Sequence, residues 1–182
     1  MKEPVALLLA RWPVVAALAS AAMLAIAHGF QSIGGLEPCL LCLRQREVYW
    51  AALAVGVAAV AVDRVYHRVW LCRLFSAALA VIFLVGAGVA AYHAGAEWKW
   101  WPGPDACAAA SGGATADAMA AALGGAKVEA PRCDEAAWVF LGLSMAGWNA
   151  VASLVLAGLS AWAALQPRYL RQLPPQRLPE TA

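Results

Sequence analysis

The sequence predicts an all-α protein: a membrane-embedded bundle of four transmembrane helices with two outer loops and with both termini in the cytoplasm. The chain of 182 residues is 63% hydrophobic and only 13% charged. Four apolar segments approach the roughly 20 residues that cross a bilayer, and Lys and Arg cluster in alternate connections. This composition is typical of a single integral membrane domain, residues 1–182, which contacts the lipid bilayer and no nucleic acid.

The predicted spans fill most of the chain, and aromatic residues lie near the ends of each span, where an interfacial belt is expected. The spans cover residues 13–30, 43–62, 69–92 and 140–165. A cleavable signal peptide is the rival interpretation of the first span, because Lys2 and Arg11 flank an apolar stretch with small residues. Cleavage would leave three spans and place the termini on opposite sides.

The second span is unusual because its uncharged run, residues 48–62, is too short to cross the bilayer alone. These 15 residues extend about 22 Å at about 1.5 Å per residue, against a hydrocarbon core of about 30 Å. The helix must therefore begin near Cys42 and include four polar residues at the outer interface, Arg44, Gln45, Arg46 and Glu47. Charged groups at that depth usually face a bundle interior or a functional site.

Orientation follows from the positions of Lys and Arg. Cations precede the first span, surround the connection between the second and third spans, and follow the last span: Lys2, Arg11, Arg64, Arg68, Arg73, Arg168, Arg171 and Arg177. The positive-inside rule places these three regions in the cytoplasm. The two remaining connections, residues 31–42 and 93–139, are therefore expected outside. The longer one holds six acidic and three basic residues, which supports this orientation.

A C-x-x-C motif, Cys39 and Cys42, lies between the first two spans. Such a pair can act as a redox centre, because one thiolate attacks a disulfide and the second sulfur resolves the mixed disulfide. Arg46 follows Cys42 by four residues, so a helix would place its guanidinium on the same face as that sulfur. The cation and the helix N-terminus both favour the thiolate form. The motif therefore predicts a reactive dithiol at the membrane edge.

Four of the five cysteines are expected on the outer side, where an oxidising compartment favours disulfides. They are Cys39, Cys42, Cys107 and Cys133, whereas Cys72 is expected to be a small buried residue at the cytoplasmic side. Three interpretations compete: bridges that only staple the loops, a zinc site of four thiolates, and a disulfide relay. The missing second close pair disfavours zinc. The glycine-rich loop between Cys107 and Cys133 favours the relay, because such an arm can move.

The sequence resembles the DsbB family of bacterial disulfide bond formation proteins in the motif PCLLC followed by Arg46, in the run EWKWWPGPDAC and in the run RCDEAAWVFLGLSMAGWN. This resemblance covers almost the whole chain. It implies a thiol–quinone oxidoreductase, multi-pass in the bacterial inner membrane, with its redox-active loops facing the periplasm. The implied reaction reoxidises a periplasmic DsbA-type oxidase with a thioredoxin fold and passes two electrons to the membrane quinone pool, either ubiquinone or menaquinone.

The same resemblance implies a role for each outer cysteine. Cys107 would form the mixed disulfide with the partner, and Cys133 would be its bonded mate in the resting enzyme. Cys39 would exchange with this loop pair, which leaves Cys42 as the thiolate that faces the quinone ring. The implied resting disulfides are Cys39–Cys42 and Cys107–Cys133, whereas the sequence by itself also allows other pairings.

Four further side chains are candidates for a quinone site. Arg46 resembles the family's quinone-proximal arginine, where its charge would stabilise the Cys42 thiolate and the negative charge that develops on the quinone oxygens. His93 lies near the position of a family histidine beside the quinone, and the alternative is an interfacial polar residue. Met145 and Trp148 are expected where the last helix passes the C-x-x-C motif, although ordinary helix packing explains them equally well.

An accessory structural membrane protein is the alternative function. In that case the disulfides would only stabilise the outer loops, and no electron would reach a quinone. The relay interpretation expects no metal ligand set. Glu47 is expected to form a salt bridge with Arg44 or Arg46.

Overall fold

The computed structural model describes residues 9, 11–66, 68–104 and 132–165. Four long helices dominate this part of the chain: α1 (Trp12–Ser32), α2 (Leu40–Tyr66), α3 (Val69–Glu97) and α4 (Met145–Leu165). Each is long and apolar enough to cross a membrane. The predicted all-α, four-helix membrane architecture is therefore confirmed, whereas the cytoplasmic position of the termini stays a prediction.

The interior of the bundle is closed by large side chains from three helices. Trp12, Tyr49, Leu79 and Phe83 are each at most 4% exposed. The buried indole of Trp12 donates its Nε1–H to Ser160 Oγ over 2.9 Å and so ties α1 to α4. In each span, at most 28% of the most apolar stretch is buried inside the protein. The remaining apolar surface faces outward, as expected for helices that contact lipid.

Glycine residues allow two of the helix pairs to approach closely. A Cβ on Gly56 of α2 would lie 2.9 Å from the Ala17 Cβ of α1, and a Cβ on Gly86 of α3 would lie 2.9 Å from Val48 Cγ1 of α2. Small residues at such contacts are typical of membrane helices, because association there depends on close packing rather than on the hydrophobic effect.

The substitution Gly56→Ala is expected to destabilise the bundle by about 1–3 kcal/mol, because the added methyl group overpacks the contact between α1 and α2. Thermal unfolding in detergent measures this as a lower midpoint temperature. Gly88→Ala is the matched control on α3, since a Cβ there meets no heavy atom within 4 Å. Equal midpoints for the two variants would contradict the close approach at Gly56.

A short connection places the C-x-x-C motif at the start of α2. The N–H of Ile33 bonds to the carbonyl of Gly29 over 2.9 Å and closes the last turn of α1. Gly35 then adopts a φ of 64°, a conformation that glycine tolerates best. Pro38 follows, and Cys39 immediately precedes the first residue of α2. The reversal therefore fixes the dithiol at a helix N-terminus.

A β-hairpin lies directly before α4, so the helix begins later in the sequence than the predicted span. Strand β1 (Val139–Phe140) pairs antiparallel with β2 (Leu143–Ser144). The two turn residues, Leu141 and Gly142, have φ values of 52° and 79°, the signs that a two-residue type I′ turn requires. The predicted fourth span, residues 140–165, therefore includes hairpin residues, and the helix itself begins at Met145.

The third helix is longer at its C-terminal end than the predicted span. It continues to Glu97, so His93 lies within the last turns of α3 rather than in the loop. At the other end, Cys72 is half-buried, where complete burial was expected, and its Sγ donates to Asp63 Oδ1 over 3.0 Å. The predicted glycine-bracketed arm and Cys107 lie outside the described residues.

Candidate functional site

The Cys39–Cys42 pair forms a compact dithiol at the start of α2. The two Sγ atoms lie 2.6 Å apart, and both cysteines are free. Cys39 occupies the position that caps the helix, and its Sγ accepts the N–H of Cys42 over 3.2 Å. A sulfur here takes the place of the usual capping oxygen, because the first turn of a helix leaves backbone N–H groups without intrahelical partners. The backbone itself therefore holds the two sulfurs together.

The proton of this pair is expected to stay on Cys39. The hydrogen bond to the Cys42 sulfur raises the pKa of the Cys39 thiol above its ordinary value, and burial of Cys39, which is 5% exposed, raises it further. In the reduced pair Cys39 is therefore the expected S–H donor and Cys42 the expected acceptor. Cys42 is accordingly the sulfur that we expect to carry negative charge.

Arg46 lies on the lining of the same cleft as Cys42. Its guanidinium donates to Gln31 Oε1 over 2.6 Å and to the carbonyl of Ala27 over 3.0 Å, so the end of α1 holds it in place. The neighbouring Arg44 instead pairs with Glu47 over 2.9 Å, with both side chains 62% exposed. The expected salt bridge of Glu47 is thus formed with Arg44, which leaves Arg46 for the cleft.

A third cysteine, Cys133, lies against the dithiol. Cys133 is disulfide-bonded and 2% exposed, and it packs in one cluster with Cys39 and Leu41. Its predicted mate, Cys107, lies outside the described residues, so that pairing stays a prediction. A zinc site of four thiolates is incompatible with this state, because the sulfur of Cys133 is already in a disulfide. The segment that carries Cys133 and the C-x-x-C motif therefore meet at one edge of the bundle.

The segment that carries Cys133 is anchored by charged residues. Asp134 accepts hydrogen bonds from Lys99 Nζ over 2.6 Å and from Arg132 Nε over 3.1 Å. These two cations lower the pKa of Asp134 to about 2. Nearby, Trp101 donates its indole N–H to the backbone carbonyl of Tyr92 over 2.9 Å, and its ring stacks on the phenol ring of Tyr92. These contacts hold the loop against the end of α3.

The dithiol opens on a cleft of about 1490 Å³ that is lined by residues of all four helices, of the hairpin and of the segment that carries Cys133. One wall is aromatic: the Phe30 and Trp138 rings lie 5.6 Å apart, and Trp138 stacks on Phe140 at 5.7 Å. Met145 and Trp148 also line it. An apolar cleft with a few convergent polar groups is the usual form of a site for a small molecule.

His93 lies beside the dithiol and lines the same cleft. Its Nε2 is 3.6 Å from Cys39 Sγ and 3.7 Å from Glu97 Oε1. Glu97 in turn accepts a short hydrogen bond from Ser144 Oγ of the hairpin. The His93 and Glu97 side chains are only 4% and 5% exposed, so both face the interior of the protein. Its contact with a quinone stays a prediction.

Comparison with known proteins decides the family of this chain. The family model for the disulfide bond formation protein DsbB matches residues 10–163. The chain belongs to the DsbB family. A relative named disulfide bond formation protein B from Nitrosococcus oceani is 32% identical over 146 residues, which cover 78% of this chain and 83% of the relative. A second relative of the same name, from Methylococcus capsulatus, is 32% identical over 151 residues, which cover 80% of this chain and 86% of the relative. No solved structure matches the chain.

Membership of the DsbB family confirms the resemblance found in the sequence, and together with the four apolar helices it makes the chain a multi-pass membrane protein. The structure brings Cys39, Cys42, Arg46, His93 and Met145 to one cleft, with Cys133 on the same lining. The roles predicted for these residues remain predictions.

Gln45 and His93 are named in the sequence analysis, but it missed that they belong to a set of buried polar side chains next to the dithiol of this DsbB family member. They form three pairs at i, i+4 spacing on three different helices: Gln45 with Tyr49, His93 with Glu97, and Asn149 with Ser153. That spacing puts each pair on one helix face. Polar pairs inside apolar spans are the signal that would have identified them, because such groups face a bundle interior and find partners there.

Proposed function

We propose that this DsbB family protein is a thiol–quinone oxidoreductase that reoxidises a periplasmic DsbA-type dithiol oxidase and passes two electrons to a membrane quinone. One observation carries the proposal. The Cys39–Cys42 dithiol opens on an apolar cleft that also holds Arg46, while the disulfide-bonded Cys133 packs against Cys39. The disulfide-bonded sulfur of the loop, the dithiol of α2 and a cleft large enough for an electron acceptor thus adjoin one another.

The thiol chemistry balances through two exchanges. The reduced partner gives its two electrons to the Cys107–Cys133 disulfide and leaves oxidised. The loop pair then passes the electrons to the Cys39–Cys42 disulfide through Cys39, which leaves Cys42 as a thiolate. A quinone in the cleft would supply a two-electron oxidant that takes up two protons as it becomes a quinol. The Cys39–Cys42 disulfide is restored at the end of the cycle.

The side chains of the cleft fit a quinone. Phe30, Trp138 and Phe140 offer an aromatic wall to a flat ring, and the lipid-facing surroundings suit an isoprenoid tail. Arg46 brings a permanent positive charge to the cleft beside the sulfur of Cys42. That charge stabilises the thiolate and the negative charge that develops on an acceptor oxygen. These features support a quinone better than a purely structural pair of disulfides.

The test of this function is quinone reduction by purified protein. A reduced DsbA-type partner and a soluble quinone analogue are added, and the loss of the quinone's ultraviolet absorbance is followed. Turnover that depends on all three components supports the proposal. An accessory structural protein would give no loss of absorbance above the rate of the uncatalysed mixture, and that result would overturn it.

Replacing Arg46 by alanine is expected to raise the KM for quinone about tenfold to a hundredfold, because a hydrogen-bonded charge next to the acceptor is worth roughly 1.5–3 kcal/mol. The same assay with varied quinone measures it. Arg44→Ala is the matched control, since Arg44 is exposed and pairs with Glu47, and its KM is expected to stay at the wild-type value. Unchanged quinone kinetics in Arg46→Ala would count against the role of that cation.

A further inference from the structure

A chain of buried polar side chains crosses the bundle from α4 to the dithiol. Ser153 Oγ lies 3.0 Å from the hydroxyl of Tyr49, which donates to Asn149 Oδ1 over 2.5 Å. Asn149 Nδ2 donates a short hydrogen bond to Gln45 Oε1. Gln45 Nε2 lies 2.8 Å from His93 Nδ1. All five residues are at most 8% exposed.

The hydrogen bonds along this series of side chains have fixed directions, because each side chain offers only certain donors and acceptors. The oxygen of the Gln45 amide is occupied by the N–H of Asn149, so the Gln45 amide turns its N–H toward His93. His93 Nδ1 must then accept that hydrogen bond, and a neutral imidazole that accepts at Nδ1 carries its proton on Nε2. Protonation of Nδ1 would set two N–H groups against each other in a buried site.

The proton on Nε2 points to the dithiol. His93 Nε2 lies 3.6 Å from Cys39 Sγ and 3.7 Å from Glu97 Oε1, so these are the acceptors within its reach. Buried N–H donors stabilise negative charge more strongly than the same donors in water. An N–H fixed beside Cys39 therefore lowers the energy of that sulfur whenever it becomes a thiolate.

We propose that Gln45, Asn149 and Tyr49 are positioning residues that hold His93 in its Nε2–H tautomer and so present an N–H donor to the sulfur of Cys39. This inference rests on the proposed function for its benefit to the reaction. When Cys39 leaves a disulfide, the electron pair of the broken S–S bond stays on its sulfur, and the His93 N–H donates a hydrogen bond to the resulting thiolate. The assignment of the tautomer itself depends only on the hydrogen-bond chain.

His28 provides a contrast inside the same molecule. Its Nδ1 lies 2.8 Å from the carbonyl oxygen of Leu24. A carbonyl oxygen can only accept, so His28 must carry its proton on Nδ1. The two histidines are therefore expected to show opposite tautomers in one sample, which supplies an internal reference for the measurement.

The test is nitrogen NMR of full-length protein labelled with ¹⁵N-histidine in detergent micelles, with neither quinone nor partner added. A His93→Gln sample assigns the His93 signals. Wild-type protein is expected to show His93 protonated on Nε2 alone and His28 protonated on Nδ1. A wild-type His93 that carries its proton on Nδ1 would overturn the proposal, whatever the fate of the proposed enzymatic function.

Three variants sharpen this test. Gln45→Glu replaces the donor by an acceptor of the same shape, so Nδ1 of His93 is expected to become protonated. Tyr49→Phe removes one hydroxyl and frees the Asn149 amide to turn, so both tautomers are expected. Ser160→Ala is the matched control, because it removes another buried interhelical hydrogen bond, that of Trp12, and the His93 signals are expected to stay unchanged. An unchanged His93 in Gln45→Glu would also overturn the proposal.

Turnover supplies the kinetic readout. Tyr49→Phe is expected to lower kcat with the reduced partner several-fold to tenfold, because a charge-assisted hydrogen bond is partly lost, and to leave the KM for quinone unchanged. Ser160→Ala is expected to change neither constant. If the tautomers behave as stated and no variant turns over quinone, then the proposed function fails and the tautomer assignment survives. A normal kcat in Tyr49→Phe with mixed tautomers would overturn the catalytic benefit.

Discussion

Replacement of Cys42 by alanine is expected to abolish quinone reduction by the dithiol partner, with a fall in kcat of at least about a thousandfold, as for loss of other covalent nucleophiles. The Cys42 sulfur lies 2.6 Å from that of Cys39 and lines the apolar cleft. Without it, no Cys39–Cys42 disulfide forms and no thiolate faces the acceptor. The measurement is the quinone absorbance assay with reduced partner.

The control for this variant is Cys72→Ala. Cys72 does not line the cleft, and its Sγ bonds to Asp63, so full turnover is expected. The Cys42→Ala protein should also unfold at nearly the wild-type temperature, because the alanine methyl occupies the Cβ position of the lost thiol. Turnover above about a tenth of the wild-type rate would contradict the assignment of Cys42 as the sulfur that delivers the electrons.

Replacement of Cys133 by alanine is expected to separate the two halves of the reaction. Oxidation of the protein partner should fall to the background rate, because the loop disulfide that receives its electrons is lost. Quinone reduction driven by a small dithiol such as dithiothreitol should continue, because a molecule of that size enters the cleft and attacks the Cys39–Cys42 disulfide directly. Both rates are measured on the same preparation by the loss of quinone absorbance.

The Cys42→Ala protein is the natural counterpart to this experiment, since it should lose both activities. A Cys133→Ala protein that still oxidises the partner at the wild-type rate would show that electrons enter without the loop. Loss of the small-dithiol activity as well would show that Cys133 acts on the fold of the site. That second outcome is testable by circular dichroism and by thermal unfolding.

The membrane bundle was predictable because hydropathy acts over whole segments. Four apolar runs were enough to find the four helices, and the short uncharged run of the second span correctly required a helix that starts beside Cys42. The outer ends were less predictable. Leu141 has a positive φ, which nothing in the identity of a leucine indicates, and Gly142 alone gave a weak signal for the hairpin.

The part of the candidate site that lies within one sequence motif was predictable. The spacing of Cys39, Cys42 and Arg46 in one stretch of helix fixes their common side of the bundle. The hydrogen bonds of Gln45 depend instead on how α2, α3 and α4 are rotated about their axes, which a single sequence does not specify. The pairing of Gln45 with Asn149 and His93 therefore had to come from the structure.

The central claim is that a quinone binds in the cleft between α1, α2 and α4, within reach of the Cys42 sulfur. Photolabelling with a ring-azido quinone, followed by mass spectrometry of the peptides, tests it directly. The account predicts label in peptides that contain residues 23–30 of α1 and 145–152 of α4, because both ranges include residues that line the cleft, and loss of label when unmodified quinone is added. Label confined to outward-facing residues such as Val81 and Leu154, and insensitive to that competitor, would contradict it.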